Sequence, residues 1–183
     1  MYLPMKKILI ASALFSLTNL TPALAQHHGH GQPTAHGHQS QYSGMQKREI
    51  KALSEEQIEG FRAGKGMAMA MPAELNGYPG PLHVLELANQ IGLTTQQETK
   101  TKKLYAEMLE EAKAQGEKFI AAERYLDSLF AQKKATPESV SSAVAAAAGA
   151  QGKLRETHLR YHLAMMDVLT PEQVATYNKL RGY

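Results

Sequence analysis

Apolar residues recur at helical spacing along most of this chain. No stretch alternates with a period of two long enough to read as a strand. Helical pattern begins near Ile50. Leu53-Ser54-Glu55-Glu56-Gln57 opens a short helix that fades at Gly64. Residues 65–81 follow, with Met67, Met69 and Met71 in a run that could make one helical turn or two. Asn76-Gly77-Tyr78-Pro79-Gly80-Pro81 then reads as a loop by its turn residues. Leu82, Leu85, Ala88 and Ile91 predict a further short helix that Gly92 ends.

Two long helices dominate the remainder. The first runs from about Thr95 to Lys134, ~60 Å at 1.5 Å per residue. Tyr105, Met108, Ala112, Phe119, Ala122, Leu126 and Leu129 form its apolar stripe, with Gln115 as a polar gap and Gly116 as a weak point. Thr136-Pro137-Glu138 supplies an N-cap, a proline at the first helical position and an early acid. The second long helix continues to about Val168, on a stripe of Val140, Val144, Ala147, Gln151, Leu154, His158, Tyr161, Met165 and Val168. The connection between the two is very short, which predicts an antiparallel hairpin. The Ala-rich run 143–150 suits close backbone approach. A last short helix covers Pro171 to about Arg181. The predicted fold is all-α: a long helical hairpin with short flanking helices, one domain over 49–183.

The amino-terminal region has a different character. Lys6 and Lys7 precede an apolar run, Ile8 to Leu20, too short to span a bilayer. Ala23-Leu24-Ala25 is an A-x-A cleavage site. Residues 1–25 therefore read as a secretory signal, with a mature chain starting at Gln26 in the bacterial periplasm. Residues 26–48 are rich in His, Gly and Gln, have little to bury, and read as a disordered arm. The two signal lysines account for much of the formal charge: +3 for the whole chain, less two, leaves +1 for the mature protein. Such a chain is no electrostatic nucleic-acid binder. Zero Cys excludes disulfides, thiolate catalysis and Cys–zinc sites. No G-x-S-x-G, H-E-x-x-H or P-loop occurs, so the expectation is a protein that is not an enzyme.

Candidate chemistry sits in three places. His27, His28, His30, His36 and His38 crowd the arm; imidazole suits Zn, Cu, Ni and Co(II), while the plainer alternative is a solvated tail. His158 and His162 stand one helical turn apart and could chelate an ion as an i, i+4 pair, or, since His158 lies on the stripe, serve as a packed interface histidine. Met67, Met69 and Met71 offer thioethers to Cu(I), or an adaptable packing and contact surface.

One pattern recurs: Leu, a hydroxyl residue, two residues, Gln. It appears at Leu53 to Gln57, at Leu93-Thr94-Thr95-Gln96-Gln97 and at Leu169-Thr170-Pro171-Glu172-Gln173. Physically each is a capping box: the hydroxyl accepts from the N3 amide and the Gln reaches back to the N-cap amide. In the first and third copies the Leu can staple to Ile58 or Val174; in the middle copy that place holds Glu98.

Two LTxxQ motifs flanking a long hairpin behind a signal peptide resemble the Spy/CpxP family of periplasmic chaperones and stress regulators, with its zinc-responsive and heavy-metal-sensor relatives. The resemblance covers residues 82–181 and rests on Leu93, Thr94, Gln97, Leu169, Thr170 and Gln173. It implies a helical homodimer shaped as a curved cradle that binds unfolded envelope proteins without ATP. Alternatively, it implies a periplasmic metal-binding partner of a membrane sensor kinase. No cofactor is required in the first case, and a Zn or Cu ion in the second. Two features depart from the pattern: the mature charge is nearly neutral, and residues 50–81 have no clear counterpart. Met67, Met69, Met71, Tyr105, Met108 and Tyr125 are the residues expected to meet clients, because Met adapts its shape and Tyr has a wet end.

Overall fold

The computed structural model describes residues 40–183. The signal, its cleavage site and the five arm histidines lie outside the described residues. Within them the chain is all-helical, without strands. A single 3-10 turn at Met45–Lys47 precedes six helices: α1 Glu55–Arg62, α2 Met71–Glu74, α3 Pro81–Glu86, α4 Thr95–Ala131, α5 Pro137–Met166 and α6 Pro171–Arg181. No described helix is long and apolar enough to cross a membrane.

Every helix that begins with the recurring motif is capped as its chemistry demands. Ser54, Thr94 and Thr170 accept from the amides of Gln57, Gln97 and Gln173, and each Gln side chain accepts from its N-cap amide. Thr136 and Ser139 build a fourth box at the start of α5. These boxes fix where helices start to the residue. Helix ends are less sharply written. Helix α4 stops at Ala131 rather than near Lys134, with Lys133 in the left-handed region at φ 60°. Helix α5 stops at Met166, two residues early. The stretch expected as one helix to Ile91 is α3 followed by turns from Leu87 onward.

Helices α4 and α5, 37 and 30 residues long, form a pair along their length. The start of α4 meets the end of α5, where Gln97 Nε2 donates to the carbonyl of Val168 at 2.9 Å. Farther along, Tyr161 donates its hydroxyl to Glu111 at 2.7 Å, and Arg160 pairs with the same carboxylate. Small side chains make the seam, since Ala112, Ala143 and Ala147 are buried. The expected stripes hold at Met108, Ala112, Phe119, Leu129, Leu154, Tyr161 and Met165, whereas Val144 is 48% exposed.

Two apolar clusters brace the pair. One joins Ile50, Leu53, Ile58 and Phe61 to Ala112, Phe119, Ile120 and Leu154. In it Phe61 meets Phe119 edge-on, with centroids 5.3 Å apart. Gly116 is where α1 and α4 touch: a Cβ there would lie 2.5 Å from the Phe61 carbonyl oxygen. The expected weak point is thus a close-contact position. The second cluster gathers Val84, Ile91, Met165, Val168, Leu169 and Tyr177, so α3, the end of α5 and α6 close the other end.

Candidate functional site

A pocket of about 370 Å³ opens where residues 66–83 cross the α4–α5 pair. Four segments build it, the end of the chain with Arg181 and Tyr183 among them. Helix α5 supplies His158 and His162, one turn apart; α4 supplies Met108; and the crossing segment supplies Met67, Met71 and Glu74. The crossing backbone is strained, with Met67 and Ala68 both left-handed at φ 42° and 63°. Each such non-glycine residue costs about 1–2 kcal/mol. The packing of Met67 and Met69 against the first apolar cluster holds it in place.

The two histidines are buried, His158 at 3% exposure and His162 at 7%. The sequence alone placed His158 on the apolar stripe. His162 is covered because residues 78–80 lie over it. The Tyr78 carbonyl oxygen sits 2.7 Å from His162 Nδ1, so Nδ1 carries the proton and donates. Fixing that tautomer leaves the Nε2 lone pair free. Nε2 faces Gly80, where a Cβ would come within 3.0 Å of it and 2.8 Å of Cε1. Only glycine admits the ring so close to the backbone.

His158 is held differently. Its Nε2 is buried with no hydrogen-bond partner, one of two such side-chain atoms among the described residues, the other being Asn178 Oδ1. A buried, unpaired ring nitrogen costs about 1–3 kcal/mol. Burial, and secondarily the neighbouring His162, holds the His158 pKa below its ordinary value, which favours the neutral ring.

Glu74 anchors the pocket's rim. Its Oε1 accepts from the Tyr177 hydroxyl at 2.5 Å, from Arg181 Nε at 3.2 Å and from the Tyr183 hydroxyl at 3.4 Å. Its Oε2 lies 3.7 Å from His162 Nδ1. The Tyr177 phenol is pushed far above its usual range by burial and by this carboxylate. The carboxylate's charge is therefore offset by Arg181, and α6 is tied to the crossing segment. No group of three or more His, Asp or Glu placed to share one ion occurs among the described residues.

Of the residues expected to meet clients, Tyr125 at 56% exposure and Met71 at 51% are open to solvent. Met67, Met69 and Tyr105 are half-buried. Met108 is buried at 8% and is a wall of the pocket, not a surface residue, because α4 turns that face toward α5. The convergence of His158, His162, Met108 and Met71 was not legible in the sequence. Helical spacing links the two histidines, but nothing in it brings the Met-rich segment back over them.

The two LTxxQ motifs also meet in space. Gln97 Nε2 donates to Gln173 Oε1 at 2.8 Å, and Gln173 Nε2 donates to Gln97 Oε1 at 3.0 Å. Gln173 Nε2 also reaches the Gly92 carbonyl at 3.0 Å. Each glutamine thus closes its own capping box and clasps the other, locking the starts of α4 and α6 together. Comparisons with protein-family models, with curated proteins and with solved structures return no match.

Proposed function

We infer that the protein is an exported, ATP-independent client-binding protein of the Spy/CpxP type, working in the periplasm as a homodimer. In this reading the long helix pair is an antiparallel hairpin and two copies form the cradle. The observation that carries it is the set of large apolar side chains left open on the pair: Tyr125, Phe130, Val144, Leu163 and Met166, all 38% exposed or more. Exposed apolar groups between charges are what a binding surface needs, since they gain by covering a client's apolar patches yet stay soluble when free. Binding of this kind runs without nucleotide.

The test is light scattering of a reduced or heat-unfolded client with the mature chain, without ATP or metal. Suppressed aggregation at a few-fold molar excess is the expected result. No suppression, or suppression only with added Zn or Cu, rejects the reading.

A second reading, a metal-binding protein acting with a membrane sensor kinase, draws on the pocket: two buried imidazoles with free ring nitrogens beside thioethers. In it the arm histidines would add a second set of ligands.

A further inference from the structure

We propose that the pocket between α4, α5 and the crossing segment is a soft-metal site that takes a monovalent ion, Cu(I) or Ag(I), on His158, His162, Met108 and Met71. The proposal rests on the metal-binding reading only in requiring that these residues hold an ion. It needs neither a sensor kinase nor the client-binding reading.

Three observations carry it. The first is that the two imidazoles are prepared as ligands. His162 has its tautomer set by the Tyr78 carbonyl 2.7 Å from Nδ1, which frees Nε2 toward Gly80. An imidazole whose other nitrogen donates to a backbone carbonyl is the usual arrangement of a metal-bound histidine. His158 Nε2 is buried and unpartnered, so with the ring proton on Nδ1 an ion that takes the Nε2 lone pair would repair a standing cost.

The second is the nature of the other donors. Met108 is buried in the pocket wall, and Met71, 51% exposed, lines the same pocket. Thioethers are soft and bind Cu(I) far better than they bind Zn or Ni. Met67 is less suited, since its sulfur is turned to α1, 2.5 Å from where a Cβ on Gly60 would lie.

The third is charge. Two imidazoles and two thioethers bring no negative charge, and the nearby Glu74 is already held by Arg181 at 3.2 Å. The cost of burying an ion rises steeply with its charge, and a dication would find no uncompensated anion here. A monovalent ion asks less of the same donors. The half-open side at Met71 also gives an ion a way in.

The arm histidines would mask the result, so the test uses the exported chain carrying His27→Gln, His28→Gln, His30→Gln, His36→Gln and His38→Gln. Cu(I), kept reduced by ascorbate under nitrogen, is titrated against a chromophoric Cu(I) chelator, with Zn(II) and Ni(II) titrated in parallel. One Cu(I) per chain is expected, with sulfur scatterers in its X-ray absorption spectrum. His162→Gln and Met108→Leu should each weaken it by about 10-fold or more. Met108→Leu keeps the volume, and Met71→Leu changes only a half-exposed position, so helicity by circular dichroism should persist in both. A sulfur count that falls by one in Met71→Leu, with the Met108 sulfur retained, then tests the site even if a histidine variant unfolds. Binding of Zn(II) or Ni(II) in preference to Cu(I) overturns the soft-ion assignment while leaving metal binding standing. No uptake of any ion by the arm-silenced chain overturns both. Cu(I) uptake unchanged in Met108→Leu and Met71→Leu overturns the ligand set.

Discussion

Gly116 shows how a residue can be read correctly for its propensity and wrongly for its purpose. A glycine inside a long helix normally weakens it by about 1 kcal/mol relative to alanine. Here α1 rests on the bare backbone, and an added methyl would meet a carbonyl oxygen rather than a movable side-chain tip. Overpacking of that kind costs about 1–3 kcal/mol and outweighs the propensity gain. Gly116→Ala should therefore lower stability in urea denaturation, whereas alanine at the open position Gly149 should raise it. The same scale governs Tyr161. Burial first, then its hydrogen bond to Glu111, pushes its phenol from 10.0 up to about 12. The folded chain favours the protonated form, so this contribution is whole below pH 10 and is lost as pH rises toward about 12. A near-ultraviolet absorbance titration should show late-ionising tyrosine that diminishes in Tyr161→Phe.

At the scale of elements, the capping boxes were the most legible feature of the chain. Ser54, Thr94, Thr136 and Thr170 all stand as N-caps, because a hydroxyl followed three residues later by a polar side chain is a local code that needs no tertiary context. What the code could not say is that two of its glutamines face each other. That distinction is testable. A capping box works with Glu as well as with Gln, so Gln57→Glu should change stability by no more than about 0.5 kcal/mol. Gln97→Glu keeps its box but removes the donor to the Val168 carbonyl and to Gln173 Oε1, and sets a carboxylate against an oxygen. It should cost about 1–3 kcal/mol. Equal costs in thermal unfolding would mean that the clasp contributes nothing.

For the molecule as a whole, periodicity gave the all-helical class, the long pair and the closing helix, since amphipathic spacing over tens of residues is hard to mistake. It was only partly right for residues 65–92: the single turn of α2, the loop before Pro81 and the start of α3 were legible, but the left-handed Met67 and Ala68, which neither residue favours, and the early end of α3 were not. Those conformations are imposed by packing on α1 and α5, and no local signal announces them. The pocket was illegible for the same reason: its walls come from segments far apart in the chain. Several large apolar side chains remain uncovered on the helix pair, Leu163 at 58% and Phe130 at 54% among them. If a second copy covers them, light scattering at tens of micromolar should give about twice the chain mass, and Leu163→Glu should shift it toward the single-chain value. A strict monomer would count against the cradle.

The glutamine clasp also bears on the order of assembly. Its two halves are separated by 76 residues, so it can close only after α4 and α5 have found each other. Contacts that span a long loop gain nothing until the loop's entropy has been spent, and local helix pairing comes sooner. The clasp should therefore be absent from the folding transition state. Gln97→Glu and Gln173→Glu, which keep their capping boxes, would leave the refolding limb of a chevron plot nearly unmoved and quicken the unfolding limb, by about 10-fold for each 1.4 kcal/mol lost. The motif pair would then govern how long the native molecule lasts rather than how quickly it forms.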